Sequence, residues 1–264
     1  MRNDIKALRF FVFILLCSLT QVMTAQDILP DLLPINATSD RSACDIRRPR
    51  LPGSIYSHRS YASMLHGIDV SHHNGLIDWS TVSKQNDAAF VYIKATEGHD
   101  FIDSQYTTNI RQARKNNIKV GSYHFFRANI PADQQFKLFK RTISLKEQDL
   151  LPMIDVEVTN GVGVFALQAR LIEFARLVEN YIGCPPLIYT GRNFYNQHFA
   201  GYTQFRKFPF WIAQYSEDEP ALDYGDDYLI WQYTSKARVS GIHGNVDKNC
   251  FMNGHSLREI IYKR

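Results

Sequence analysis

Residues 150–157 read Leu150-Leu151-Pro152-Met153-Ile154-Asp155-Val156-Glu157, an apolar run that ends in two acidic residues. A helical pattern follows over residues 164–182, with apolar side chains at three- and four-residue spacing, and a second apolar run occupies residues 186–190. A strand, a helix and another strand in this order predict parallel strands joined by a right-handed crossover.

The same alternation extends to both sides of this unit. Eight apolar runs predict strands, at residues 67–70, 88–95, 118–126, 151–158, 186–190, 208–215, 228–234 and 243–247. Five helical patterns lie at residues 79–86, 105–117, 132–146, 164–182 and 193–199. We therefore predict an α/β fold, a single incomplete (β/α)8 TIM-like barrel with about five helices. A doubly wound open sheet is the alternative.

The first 65 residues differ from the barrel pattern. Arg2, Lys6 and Arg9 precede a short apolar run at residues 10–19, and small residues lead up to Ala25. This arrangement predicts a signal peptide at residues 1–25 and export to the periplasm or the medium, without a transmembrane span. Residues 26–65 carry four prolines and no regular period, which indicates an extended linker before a barrel at residues 66–264.

Composition excludes several classes of function. A formal net charge of +4 without a clustered basic stripe does not favour a nucleic-acid partner. No phosphate-binding loop or nucleophilic-serine motif occurs. We predict no metal and no cofactor, because His72, His73 and His124 lack the spacing of a metal motif. After signal cleavage, Cys44, Cys184 and Cys250 allow at most one disulfide, whose pairing stays open.

Four acidic residues are predicted to meet at one end of the barrel. Strand alternation places Asp155 and Glu157 on one face, where mutual repulsion should keep one of them protonated. Such a pair can protonate a leaving oxygen and stabilise a sugar cation. Asp69 and Asp247 end the first and last predicted strands, which are neighbours in a closed barrel. The alternative for a lone Asp-x-Glu is a solvated strand end or an ion pair.

Polar and aromatic residues follow the other strands at the same end. These side chains can hydrogen-bond the hydroxyl and acetamido groups of a sugar, although each aromatic residue could equally serve packing. The predicted substrate-binding residues are Lys94, Glu97, Tyr123, Tyr189, Tyr215 and Gln232.

Several motifs together resemble glycoside hydrolase family 25, the Chalaropsis-type lysozymes. They occur in family order over about residues 66–254, as Gly67-Ile68-Asp69-Val70-Ser71, Lys94-Ala95-Thr96-Glu97-Gly98, Gly121-Ser122-Tyr123-His124-Phe125, Asp155-Val156-Glu157, Trp211-Ile212-Ala213-Gln214-Tyr215 and Val246-Asp247-Lys248-Asn249. The resemblance implies a flattened barrel that cleaves the β-1,4 bond between N-acetylmuramic acid and N-acetylglucosamine in peptidoglycan. It also implies that Glu157 is the general acid and Asp155 the second carboxylate, with Asp69 and Asp247 shaping the charge of the site.

The sequence allows several mechanisms for the attack on the anomeric carbon and more than one function. Asp155 could act as a nucleophile, steer the substrate's own acetamido oxygen or activate water, and our hypothesis is acetamido participation. A non-catalytic wall-binding module and a chitinase-like glycosidase are the alternative functions. Peptidoglycan glycan strands are the expected partner, and the expected state of the chain is monomeric.

Overall fold

The framework of the fold is a nine-stranded sheet, seen in a computed structural model that describes residues 65–85 and 88–263. Its strands are β1 (His66–Val70), β2 (Phe90–Glu97), β3 (Phe101–Ile102), β4 (Lys119–Phe125), β5 (Met153–Asp155), β6 (Leu187–Gly191), β7 (Phe210–Ala213), β8 (Ile230–Ala237) and β9 (Val246–Phe251). Eight of them close into a barrel because β1 pairs with both β2 and β9, while the short β3 extends β2. The predicted α/β barrel is confirmed, and the open-sheet alternative is wrong.

Five α-helices occur in the described part of the chain. They are α1 (Trp79–Gln85), α2 (Tyr106–Lys115), α3 (Ala132–Thr142), α4 (Val164–Ile182) and α5 (Arg192–His198). Helix α3 ends four residues before its predicted end at 146, because Ile143 takes an extended conformation and a 3-10 turn follows. Thr and Ile at this point are weak helix formers. None of the helices described is long and apolar enough to cross a membrane.

The last barrel strand runs in the direction opposite to its neighbours. We predicted a strand at residues 243–247 with Asp247 at its end, whereas β9 begins at Val246 and is antiparallel to both β1 and β8. Residues 238–245 are too few for a parallel crossover, which needs a dozen or more residues, so the chain reverses. Because an antiparallel strand begins where its neighbours end, Asp247 still lies directly opposite Asp69.

Two apolar layers hold the barrel together. Alternate residues of each strand face the interior, as Phe90 and Tyr92 do on β2, while Val91 and Ile93 pack against the helices outside. Glycine lies opposite the interior rings on the neighbouring strands. A Cβ atom at Gly121 would lie 2.5 Å from the ring of Tyr92, so the barrel requires glycine at this position.

The predictions for the N-terminal region concern residues that lie almost entirely outside the described part of the chain. The predicted signal peptide (1–25), nearly all of the predicted linker (26–65) and Cys44 lie outside the described residues. Cys184 and Cys250 are both buried, and they do not form a disulfide with each other. The pairing of the three cysteines therefore stays open.

The contact between Gly121 and Tyr92 predicts a difference between two Gly→Ala variants. Gly121→Ala should lower the free energy of unfolding by about 2–3 kcal/mol, because the new methyl group overpacks the barrel interior. Gly163→Ala is the matched control, since a Cβ atom there meets nothing within 4 Å, and it should cost less than about 1 kcal/mol. Urea denaturation measures both values, and equal losses would contradict this account of the interior.

Candidate active site

Four carboxyl groups meet at the end of the barrel where the parallel strands finish. Asp69 lies near the end of β1, Asp155 is the last residue of β5, and Glu157 follows two residues later. Asp247 is the second residue of the antiparallel strand β9 and lies directly opposite Asp69. Each of the four has a raised pKa, and the charge of Glu157 contributes to the shift of the other three. The predicted convergence of the four acids is therefore present in the structure.

Asp69 is held in place by two amide groups. Its Oδ2 atom accepts hydrogen bonds from Gln232 Nε2 at 3.0 Å and from Asn249 Nδ2 at 2.9 Å. Burial and the nearby charge of Asp247 raise its pKa to about 8, although the two amide donors act in the opposite direction. Asp69 is therefore mostly protonated near neutral pH.

Asp155 and Glu157 form a hydrogen-bonded carboxyl pair. Asp155 is only 6% exposed, and burial followed by the charge of Glu157 raises its pKa well above the usual value. Among the described residues, no N–H or hydroxyl group donates to its Oδ1 atom. Desolvation by the surrounding protein also raises the pKa of Glu157. The pair keeps a proton near neutral pH and titrates as a unit.

Asp155 and Glu157 differ in exposure, although strand alternation predicted that they share one face. Strand β5 ends at Asp155, so the chain leaves the barrel wall and Glu157 reaches the solvent-exposed mouth. The buried member of the pair is Asp155. This arrangement gives Glu157 access to a bound ligand while Asp155 lies behind it.

Lys94 and Glu97 bind each other beside the acid pair. The Nζ atom of Lys94 lies 2.6 Å from Glu97 Oε2 and packs over the rings of Phe101 and Phe125. Burial raises the pKa of Glu97, but its bonds to Lys94 and Arg127 outweigh burial and hold it below the usual value. The charge of Lys94 lowers the pKa of both Asp155 and Glu157, yet their pKa values stay raised.

Gln232 connects two tyrosines to the acids. The hydroxyl groups of Tyr189 and Tyr215 both donate to Gln232 Oε1 at 2.8 Å, which fixes the amide with its Nε2 atom facing Asp69. Tyr215 is 59% exposed, whereas Tyr189 and Gln232 are buried. Tyr123 is buried on β4, where burial and the charges of Asp69 and Asp155 raise its pKa. All three predicted tyrosines thus line the mouth or its floor.

Two of the histidines considered as metal ligands, His72 and His124, already have hydrogen-bond partners. The Nδ1 atom of His72 lies 2.8 Å from Asp103 Oδ2. His124 is buried between the barrel wall and helices α3 and α4, where it contacts Thr96 and Gln135. Burial lowers the pKa of His124 to about 4, so its ring is neutral. Within residues 65–85 and 88–263, no group of three metal-ligating side chains is assembled.

Asn249 is a site residue to which sequence reasoning assigned no role. Its Nδ2 atom donates to Asp69, and its Oδ1 atom is buried without a hydrogen-bond partner among the described residues. The signal that could have identified it is strand alternation, since Asn249 lies two residues after Asp247 and shares its face.

Comparisons with known proteins agree with this geometry. The profile of the glycosyl hydrolases family 25 matches residues 68–242. The chain is 35% identical over 208 residues to "Uncharacterized protein YegX" of Escherichia coli O157:H7, which covers 77% of this chain and 75% of that protein. It is 35% identical over 188 residues to "Autolytic lysozyme" of Clostridium acetobutylicum, covering 71% of this chain and 56% of that protein.

A solved structure shares the barrel as well. The bacterial lysozyme from Streptomyces coelicolor aligns with a TM-score of 0.68 and 31% sequence identity, covering 74% of this chain and 95% of that chain. The family profile spans well over half of the sequence and includes Asp69, Asp155 and Glu157. The match over the barrel and its acidic mouth identifies the chain as a glycoside hydrolase, a member of glycosyl hydrolase family 25.

Proposed function

We propose that this chain is a lysozyme that hydrolyses the β-1,4 bond between N-acetylmuramic acid and N-acetylglucosamine in peptidoglycan. The observation that carries the proposal is the hydrogen-bonded pair of Asp155 and Glu157, which keeps a proton at the mouth of the barrel. A proton held near neutral pH is what a glycosidase needs to release its leaving group. Relatives named as lysozymes support peptidoglycan as the substrate.

In this proposal Glu157 is the general acid. It gives its proton to the glycosidic oxygen as the bond from that oxygen to the anomeric carbon breaks, and positive charge develops on the sugar ring. Asp155 is the second carboxylate behind Glu157. Water then attacks the anomeric carbon and returns a proton to the pair, which restores the enzyme. Asp69 and Asp247 complete the charge and hydrogen bonding of the catalytic site.

The closeness of Asp155 and Glu157 favours participation of the substrate's acetamido group. Inverting glycosidases separate their two carboxyl groups by about 6.5–9.5 Å to admit water, and retaining enzymes with a carboxylate nucleophile by about 5–5.5 Å. Two carboxyl groups that hydrogen-bond directly leave no room for a water molecule or an anomeric carbon between them. We therefore assign Asp155 to orienting the acetamido group, whose oxygen attacks the anomeric carbon.

The mouth supplies groups that fit the remaining parts of an N-acetylated sugar. We assign substrate binding to Lys94, Glu97, Tyr123, Tyr189, Tyr215 and Gln232. Tyr215 has an exposed ring that can stack against a sugar face, and the buried Tyr189 positions Gln232, which in turn holds Asp69.

The finer features of the protein belong to the same proposal. We describe the barrel as an incomplete, flattened (β/α)8 barrel, because the segments after α5 connect strands without further α-helices in the described chain. The N-terminal sequence supports export to the periplasm or the medium, where peptidoglycan is accessible. The working form is a monomer.

The role of Glu157 predicts the effect of removing its proton. Glu157→Gln should lower kcat by about 10³-fold while substrate binding is retained, since general acid catalysis contributes about 10²–10⁴-fold. Glu173→Gln, on the exposed face of α4, is the matched control and should keep full activity. Mass spectrometry of the products from peptidoglycan and from chitin measures the rate of cleavage and identifies the bond that is cleaved. Undiminished cleavage by Glu157→Gln refutes its role, and preferential cleavage of chitin refutes the substrate.

Acetamido participation predicts a strict requirement on the substrate. Glycan strands whose N-acetyl groups have been removed should be cleaved at least about 10³-fold more slowly than acetylated strands, because the attacking oxygen, held in place within the same molecule, is absent. The control is the same de-acetylated material after chemical re-acetylation, which should recover its rate. Rapid cleavage of the de-acetylated strands would instead make Asp155 a nucleophile or a base.

A further inference from the structure

A groove of about 530 Å³ with a mixed polar and apolar lining opens beside the four acids. It is formed by the residues that follow β6 and β7 and by one side of α5, and its volume lies in the range of small-ligand sites. The side chains that give it its chemistry are Arg192, Asn193, Phe194, Gln197, Gln214 and Tyr215.

The groove lies beside the catalytic site. Strand β6 lies next to β5, with Tyr189 paired directly opposite Asp155, and the groove begins two residues further along at Gly191. Tyr215 lines the groove with its exposed ring, while its hydroxyl group donates to Gln232, the residue that holds Asp69. A ligand at the acids can therefore extend sideways into the groove.

The groove holds a positive charge that no acidic side chain neutralises. Arg192 donates from Nε to the carbonyl oxygen of Ala221 at 3.1 Å and from Nη1 to Asn193 Oδ1 at 3.2 Å. Both acceptors are neutral, and in the described part of the chain no carboxylate lies within ion-pair distance of the guanidinium group. Neutral acceptors thus orient a guanidinium group whose charge remains available to a ligand.

The other lining groups can pair with a peptide, and the charge of Arg192 favours a ligand that carries a carboxylate. Asn193 and Gln197 present exposed amide side chains, which pair with peptide N–H and C=O groups, and Phe194 and Tyr215 add apolar surface. A guanidinium group binds a carboxylate more strongly than it binds a neutral hydroxyl group. An uncharged sugar at this position would leave the charge of Arg192 unmatched.

We propose that this groove binds the stem peptide attached to the N-acetylmuramic acid residue at the catalytic acids, with Arg192 pairing with a carboxylate of that peptide. The inference rests on the proposed function, which brings muramic acid to the mouth. The stem peptide leaves the sugar through its lactyl group, to the side of the glycan chain, and it carries free carboxylates among its peptide groups. The enzyme consequently prefers peptide-bearing strands to naked strands.

Steady-state kinetics on two forms of one substrate test this inference. Soluble glycan strands with their stem peptides are compared with the same strands after an amidase has removed the peptides. We expect the full chain to show a KM about tenfold lower for the peptide-bearing strands, the contribution of one charge-assisted hydrogen bond. Arg192→Gln should raise that KM about tenfold, leave kcat unchanged and leave the kinetics on stripped strands unaltered.

Two further variants separate charge recognition from structural damage. Arg192→Lys should recover part of the lost affinity, because it restores the charge without the planar fork. Arg206→Gln is the control, since this exposed residue precedes β7 at the opposite end from the groove, and it should change neither substrate's KM. Unaltered cleavage of stripped strands by Arg192→Gln also shows that the variant is folded.

The outcomes that overturn the inference differ from those that overturn the proposed function. Two results would show that the groove does not bind the stem peptide. One is an equal KM of the full chain for the two substrates, and the other is an equal increase of KM by Arg192→Gln on both. Cleavage of both substrates in those cases leaves the proposed function intact. If neither substrate is cleaved, the proposed function fails and the inference fails with it.

Discussion

Repulsion between carboxyl groups is the constraint on which the site depends. Two ionised carboxylates about 5 Å apart repel by about 3 kcal/mol at the effective dielectric constant of a protein surface, and burial adds to this cost. Four such groups share the mouth of this barrel, so the state of lowest free energy keeps protons on some of them.

The same groups make the stability of the fold depend on pH. Their folded-state pKa values are raised, so the stability they contribute is complete below about pH 4 and is lost as pH rises through about 8.

The residues around the four acids hold them in place and bring little positive charge, so the acids stay partly protonated. Amide groups from Gln232 and Asn249 fix Asp69 but bring no positive charge. The charge of Lys94 lowers the pKa of Asp155 and Glu157, but Lys94 is itself paired with Glu97, and both pKa values stay raised. The aromatic interior below is closed by the pairing of β9 with β1, which also places Asp247 opposite Asp69. Closure of the barrel and assembly of the site are therefore the same structural event.

Much of the fold could be predicted from sequence because it depends on local patterns. The bounds of α4 are those of its amphipathic repeat, and the apolar runs mark every barrel strand at least in part. The direction of β9 could not be read in this way, since it depends on the length of the connection and on two partner strands. Asp155 and Glu157 were predictable as a pair. Their unequal exposure was not, because it depends on where β5 leaves the wall, and the hydrogen bonds of Gln232 join positions far apart in sequence.

A ¹³C NMR titration of the full chain with labelled Asp and Glu carboxyl carbons measures whether the four acids share protons at neutral pH. Substitution of each acid in turn by its amide assigns the four signals. We expect Asp247 to titrate near pH 6 and Asp69 near pH 8, the pair of Asp155 and Glu157 to keep one proton at neutral pH, and Asp247→Asn to lower the midpoint of Asp69. Titration of all four carboxyl groups below pH 5 would show instead that they ionise independently and hold no proton at neutral pH.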